Sequence, residues 1–133
     1  MTNYGITIFI LDIWDPDPVW SAWSAGQLRS QSLAHDLAIN PIVYSEISVS
    51  FPTLATLNQE LANLGLIVLN IPLDAAFLAG KAFARYRRLG GSRTNALADF
   101  FIGAHATVLG CTLLTRDTRR YATYFPGLRI IAP

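Results

Sequence analysis

The sequence contains a single cysteine, Cys111, and no long hydrophobic run. One cysteine cannot form a disulfide within the chain, and it excludes a zinc site built from cysteines. No apolar run approaches the roughly 20 residues that a membrane-spanning helix needs. The start of the chain also lacks the basic segment that begins a secretory signal. We therefore expect a cytoplasmic protein with no membrane association, in which Cys111 is a small core residue.

Several common catalytic motifs are missing as well. The sequence has no glycine-rich phosphate loop, no GxSxG and no HExxH, which argues against the nucleotide-binding, serine hydrolase and zinc peptidase classes that these motifs mark. The two histidines, His35 and His105, are isolated along the chain. We expect a structural role for each of them.

Charged residues are scarce, at 14%, while 52% of residues are hydrophobic and the net charge is only +1. This composition predicts a buried central sheet covered on both faces, or an apolar surface patch that needs a partner, or both. The charges are unevenly distributed, with six acidic and one basic residue in 1–66 against three acidic and nine basic residues in 67–133. The asymmetry indicates a basic face in the second half, and its alternative is ordinary solvated helix faces.

The order of predicted elements indicates the fold class. A length of 133 residues suits one domain, spanning residues 1–133. Hydrophobic patterns and turn residues predict four strands, over residues 6–11, 66–69, 112–114 and 128–131. They also predict five helices, which are 19–34, Asn40-Pro41 to about 51, 53–63, 75–89 with Asp74 as its cap, and 96–109. Alternating strands and helices predict an α/β domain with a mostly parallel sheet and helices on both faces.

Four carboxylates stand in unusual places. Asp12 and Asp117 follow predicted strands, and ligands of parallel sheets bind beyond the carboxyl ends of the strands. Glu46 and Asp99 lie on predicted helices among apolar residues, where a charge is costly unless it is compensated. A shared Mg²⁺ or Mn²⁺ ion would compensate several at once, because hard cations prefer oxygen ligands. For any single residue, the alternative is a helix cap, a salt bridge with an arginine, or simple exposure.

These residues, in this order, resemble the PIN-domain family, and specifically its VapC-like toxins. INPIVYSEIS resembles the family helix that carries its first helical glutamate, here Glu46. ADFFIGAHATVLGCTLLTRDTRRYATYFPGLRIIAP resembles the C-terminal third, where Asp99 matches the aspartate of the D-x-x-I-x-A helix and Asp117 that of T-R-D. AFLAGKAFARYRRLGG resembles the helix and loop that precede it. The resemblance covers nearly the whole chain.

The resemblance implies a three-layer α/β/α fold with about four to five strands, and a metal-dependent endoribonuclease. In such enzymes the acidic residues hold Mg²⁺ or Mn²⁺, which activates a water to attack an RNA phosphodiester. The toxins of the family are dimers, and a VapB-like antitoxin silences them by occupying the groove near the active site. The predicted helix with Trp20 and Trp23 fits a partner surface of this kind.

If RNA binds, four arginines are candidates for phosphate contacts, because a guanidinium pairs well with phosphate oxygens. They are Arg93, Arg116, Arg119 and Arg120. Their alternative role is surface solubility. By analogy with the family pattern, Thr115 would orient Asp117 or a metal-bound water.

The sequence departs from the family at its first strand. The family strand ends in Asp-x-Asn, whereas this chain reads ITIFILDI over residues 6–13, as if three residues were lost between Ile8 and Phe9. One outcome is an inactive or weakly active module that keeps the fold, the dimer surface and antitoxin binding. The other is a slip of this almost wholly apolar strand that brings Asp12 to the metal. An unrelated α/β domain with scattered acidic residues is the third interpretation.

Overall fold

The computed structural model describes residues 6–9, 18–32, 36–93, 96–115 and 119–132. Within these ranges the chain forms five strands, which are β1 (Ile6–Phe9), β2 (Asp36–Ile39), β3 (Leu66–Val68), β4 (Thr112–Leu114) and β5 (Arg129–Ile131). The helices of the same ranges are α1 (Pro18–Ser32), α2 (Pro41–Ser48), α3 (Leu54–Leu64), α4 (Leu73–Arg88), α5 (Ala96–Leu109) and α6 (Arg119–Tyr124).

The strands form one sheet in the order β3-β2-β1-β4-β5, and each neighbouring pair is parallel. The central strand is β1, where Ile8 lies beside Ala38 of β2 and Leu113 of β4. The chain reverses its direction of progress across the sheet between β1 and β4. Because crossovers between parallel strands are right-handed, this reversal sends helices to opposite faces of the sheet. The predicted α/β class with a parallel sheet is confirmed.

The core lies between the sheet and its helices. Strand residues Ile39, Leu113 and Leu114 are fully buried, and α5 contributes Phe100 and Ile102. Cys111 is 1% exposed, which confirms its predicted place in the core. Burial raises the pKa of this thiol to about 11, so it remains protonated at neutral pH.

The predicted start of α2 at Asn40-Pro41 is confirmed, although the helix ends at Ser48 and not near residue 51. Asn40 is the N-cap of α2, and its side-chain oxygen accepts a hydrogen bond from the Val43 backbone N–H at 3.0 Å. Thr53 forms a capping box with Thr56 at the start of α3. Gly65, with φ of 73°, ends α3 in the left-handed conformation that glycine adopts without a steric cost.

Two elements are absent from the sequence prediction. Strand β2, over Asp36–Ile39, lies between β1 and β3, so the strand predicted at 66–69 is the third and not the second. Its apolar run is only Leu37 to Ile39, which is too short to show a period, and it is buried because it has neighbours on both sides. Helix α6, over Arg119–Tyr124, is the second, and from the sequence this segment is predicted only as the place of two candidate phosphate-binding arginines.

The prediction that Asp74 caps the fourth helix is wrong. Helix α4 begins at Leu73, and the capping position is Pro72, whose backbone is extended at φ −71° and ψ 158°. Proline fixes φ near this value without needing a side-chain hydrogen bond. Asp74 lies inside the first turn, where its carboxylate accepts a hydrogen bond from the Ala75 N–H at 3.0 Å. A negative charge in the first turn is favourable to the helix dipole.

The outer helices carry the remaining predicted features. In α1, Trp23 is half-buried and packs against the core, while the side chain of Trp20 lies outside the described residues, as does His35. Of the helices that the structure describes, none combines the length and the apolar character needed to cross a membrane.

Candidate active site

Glu46 on α2 and Asp99 on α5 lie close enough for their charges to interact. Helix α2 packs against α5, and each helix contributes one carboxylate. Partial burial of the Glu46 carboxyl and, second, the negative charge of Asp99 raise the pKa of Glu46. A neighbouring cation would stabilise the ionised form of such a carboxyl. The fold therefore brings together two carboxylates that are 53 positions apart in the sequence (99 less 46).

A buried hydrogen bond ties the start of α2 to α5. The Asn40 side chain has one oxygen on the Val43 N–H, so its amide nitrogen points the other way, 3.3 Å from Nδ1 of His105. Both residues are fully buried. This contact sets where α2, and with it Glu46, lies along α5. Asn40 and His105 therefore position the carboxylate pair without being part of it.

Asp99 forms an ion pair with Arg120 of α6. The Arg120 side chain is 12% exposed and that of Asp99 is 27% exposed, so water screens this pair less than a surface pair. The guanidinium of Arg120 also lies over the Tyr86 and Phe100 rings, 5.7 and 6.0 Å from their centroids. Both contacts are within the range at which an aromatic ring attracts a cation. A salt bridge with an arginine, which the sequence predicts as one alternative for a carboxylate of this kind, is thus present at Asp99.

A cleft of about 430 Å³ opens beside this ion pair. Its lining residues are Tyr86, Arg93, Arg119, Arg120, Thr123 and Tyr124. The loop that carries Arg93 is fixed by a hydrogen bond from the Arg93 N–H to the Tyr86 hydroxyl at 3.0 Å. Three of the four arginines predicted to contact phosphate therefore line one cleft, and the fourth, Arg116, lies outside the described residues.

The other two predicted ligands, Asp12 and Asp117, also lie outside the described residues. The strands that precede them flank the point where the sheet reverses, since Phe9 of β1 lies beside Leu114 of β4. Thr115, directly after β4, is buried, and its N–H donates to the Ile131 carbonyl at 3.0 Å. Parallel sheets place ligands at such reversal points.

A divalent cation fits the donor chemistry of the described site in part. Mg²⁺ is commonly held by one or two carboxylates with several waters retained, and Glu46 and Asp99 supply two carboxylates. Across the described ranges, no group of three or more histidine, cysteine, aspartate or glutamate side chains is placed to hold a metal. A third protein ligand would have to come from the segments that follow β1 and β4.

Two positioning features were missed from the sequence. The Asn40 and His105 contact joins residues 65 apart: the sequence predicts a helix start at Asn40 and a structural role for His105, but not that the two side chains meet. Tyr86, which contacts the Arg93 loop and lies under Arg120, carries no local sequence signal beyond its place on a helix.

Comparison with known proteins gives the family. The model of the PIN domain matches residues 9–126, so the chain belongs to the PIN domain family. The match begins at Phe9, the last residue of β1. No curated protein matches the chain by sequence.

Solved structures share the fold across almost the whole chain. The structure of VapBC2 from Rickettsia felis bound to a DNA fragment from its promoter has a chain with 19% identity and a TM-score of 0.67, with 96% of this chain and 98% of that chain covered. VapBC-1 from nontypeable Haemophilus influenzae gives 15% identity, a TM-score of 0.68 and 96% coverage of each chain. VapBC-5 from Mycobacterium tuberculosis, a member of the VapBC family of toxin-antitoxin systems, gives 17% identity, a TM-score of 0.58, and coverage of 97% and 99%.

Proposed function

We propose that this chain is a metal-dependent endoribonuclease, the toxin of a toxin–antitoxin pair, in which carboxylate-held Mg²⁺ or Mn²⁺ serves RNA cleavage. The observation that carries the proposal is the approach of Glu46 to Asp99 beside an arginine-lined cleft. A pair of carboxylates attracts a cation, and an adjacent arginine cleft attracts a polyanion. The two features together match the needs of phosphodiester hydrolysis.

In this proposal Glu46 and Asp99 hold the metal together with Asp117 and Asp12. When bound, the metal supplies an activated water and stabilises the charge that develops on the phosphate. The RNA-binding residues of the proposal are Arg93, Arg116, Arg119 and Arg120, and Thr115 orients Asp117. Each arginine presents a planar fork of donors that matches phosphate oxygens.

The geometry of β1 supports a role for Asp12. Strand β1 ends at Phe9, which pairs beside Leu114 at the point where the sheet reverses, and Asp12 follows three positions later in the sequence. We infer that Asp12 takes the place of the first-strand ligand. Isothermal calorimetry of Mn²⁺ binding to the chain and to Asp12→Asn tests this role, and equal affinities would contradict it.

A second candidate function is a nuclease-impaired PIN domain that retains antitoxin binding and dimerisation. The absence of Asp-x-Asn from the first strand favours it. Exposed apolar side chains support a partner surface in either case: Leu73 is 88% and Phe77 is 68% exposed, one turn apart on α4. Neighbouring exposed apolar side chains are a feature of surfaces that bind a partner. The proposed partners are an antitoxin like that of the VapBC complexes and a second copy of the chain, and the proposed location is the cytoplasm.

The experiment that tests the proposed function is RNA cleavage in Mn²⁺ or Mg²⁺ and in EDTA. We expect cleavage only with metal, and a loss of about 100-fold or more for Asp99→Asn, because a metal-holding charge is removed. Asp36→Asn is the matched control, since Asp36 is exposed at the opposite, amino end of the sheet. Cleavage that persists in Asp99→Asn would contradict the proposed site.

A further inference from the structure

Arg120 belongs to two parts of the candidate site at once. Its guanidinium donates a hydrogen bond to Oδ2 of Asp99, and the same side chain lines the cleft with Arg93 and Arg119. The Tyr86 and Phe100 rings lie beneath the guanidinium, with their centroids 5.7 and 6.0 Å away. One arginine therefore lies between the carboxylates and the cleft.

The charges on either side of Arg120 depend on what is bound. Without a metal, Arg120 is a positive neighbour for Asp99, whose charge already disfavours ionisation of Glu46. If Glu46 and Asp99 held a divalent cation, its charge would weaken the attraction of the Arg120 guanidinium to Asp99. An arginine freed from its carboxylate has donors to satisfy, and a buried unpaired charge is costly. The nearest place for a new acceptor is the cleft.

We propose that Arg120 couples the two binding events: metal at Glu46 and Asp99 releases Arg120 to a phosphodiester in the cleft, so each ligand tightens the binding of the other. This inference rests on the proposed function, because it takes the metal and the RNA of that proposal as the two ligands. Linkage requires the effect to be reciprocal, so metal must improve RNA affinity by the same factor by which RNA improves metal affinity.

The test measures binding and not cleavage. A fluorescent RNA oligonucleotide with phosphorothioate linkages, checked for intactness on a gel, is titrated in EDTA and in Mn²⁺. Free Mn²⁺ is titrated by electron paramagnetic resonance with and without the oligonucleotide. Two ratios are compared: the RNA affinity in Mn²⁺ over that in EDTA, and the Mn²⁺ affinity with the oligonucleotide over that without it. For the unaltered chain we expect each ratio to be about 10, within the usual range of coupling between sites.

Arg120→Gln is the decisive variant. Tighter RNA binding in Mn²⁺ would not by itself implicate Arg120, so coupling in the unaltered chain is necessary but not sufficient. We expect Arg120→Gln to bring both ratios to within about two-fold of one, and to bind Mn²⁺ more tightly than the unaltered chain when RNA is absent. Arg93→Gln is the matched control, because Arg93 lines the same cleft without the ion pair to Asp99 that is seen for Arg120. It should weaken RNA binding in both conditions and leave the ratio unchanged.

The outcomes separate this inference from the proposed function. If the chain binds both ligands but the ratio survives in Arg120→Gln, the coupling by Arg120 is refuted while the metal-dependent nuclease stands. If the unaltered chain binds no Mn²⁺, both are refuted. Should Arg120→Gln fail to fold, Arg120→Met removes the charge and keeps a long side chain over the two rings, and an unchanged ratio in that variant also overturns the inference.

Discussion

The Asn40 amide nitrogen lies 3.3 Å from Nδ1 of His105, with both residues fully buried. Since the Asn40 oxygen is occupied by the Val43 N–H, the amide donates and Nδ1 accepts. His105 is therefore neutral with its proton on Nε2. Burial lowers the pKa of His105. A proton on Nδ1 would also be unfavourable, because it would point at the N–H of the Asn40 amide. Protonation of His105 would therefore break the contact that joins the start of α2 to α5.

The first prediction concerns that pH dependence. Because the folded pKa of His105 lies below its ordinary value of 6.5, the unfolded chain takes up the proton first as pH falls. The free energy of unfolding should therefore fall from pH 7.5 to 5.5, and one such histidine can contribute at most about 1.4 kcal/mol over that range. Urea unfolding of the chain and of His105→Gln at the two pH values measures the difference. If both proteins lose the same stability, His105 is not the group responsible.

The second prediction concerns the metal-free carboxylate pair. A raised pKa means that ionised Glu46 is less favourable in the folded state, so its charge costs stability above the ordinary pKa of 4.5. Glu46→Gln should therefore raise the melting temperature in EDTA at pH 7. The gain in the free energy of unfolding should be only about a few tenths of a kcal/mol, because Glu46 as a whole residue is exposed and water screens its partly buried carboxyl. In Mn²⁺ the order should reverse, since only the carboxylate binds the ion. A lower melting temperature for Glu46→Gln in EDTA would contradict the electrostatic account.

The third prediction concerns the packing that places α6 beside Asp99. A Cβ on Gly103 of α5 would lie 2.6 Å from the Phe125 ring and 2.9 Å from that of Tyr121. Gly103→Ala should therefore destabilise the protein by about 1–3 kcal/mol through overpacking, despite the better helix propensity of alanine. Gly80→Ala in α4 is the matched control, because nothing lies within 4 Å of its added Cβ. The control should be neutral or stabilising by up to about 1 kcal/mol.

Both proteins can be compared by thermal and urea unfolding. Equal stability changes for the two glycine variants would show that the contact of α5 with Tyr121 and Phe125 is not tight. Helix α6 carries Arg120, so a displacement of α6 by the added methyl group in Gly103→Ala should also weaken the ion pair between Arg120 and Asp99. A change in the Mn²⁺ affinity of this variant would report that weakening.

Local signals explain which parts of the fold were predictable. The bounds of α5, Ala96–Leu109, were predicted to the residue because an apolar helical run ends at Gly110, whose φ is 67°. The pair of Asn40 and Pro41 likewise marks the start of α2. Strand β2 has no such signal: alanine is a weak strand former, and the four residues become a strand only through pairing with β1 and β3.

In the candidate site, too, some features could be predicted from the sequence and others could not. Carboxylates in apolar helices are visible in a sequence, and Glu46 and Asp99 were grouped on that basis. Their actual electrostatic surroundings depend on long-range packing, so the sequence could name a salt bridge with an arginine as an alternative but could not name Arg120 as the partner. The same holds for Tyr86, which lies beneath Arg120 although the two are 34 positions apart (120 less 86).

The most direct test of the central claim is metal-dependent cleavage of RNA by this chain and by a version with Asp-Thr-Asn restored between Ile8 and Phe9, each with and without Asp99→Asn. The account predicts that the chain cuts RNA in Mn²⁺, that the restored version cuts faster, and that Asp99→Asn abolishes both activities. Cleavage by the restored version alone would show that the present chain is a disabled nuclease that functions through its partners. Cleavage by neither would contradict the assignment of the carboxylates and the arginine-lined cleft as a nuclease site.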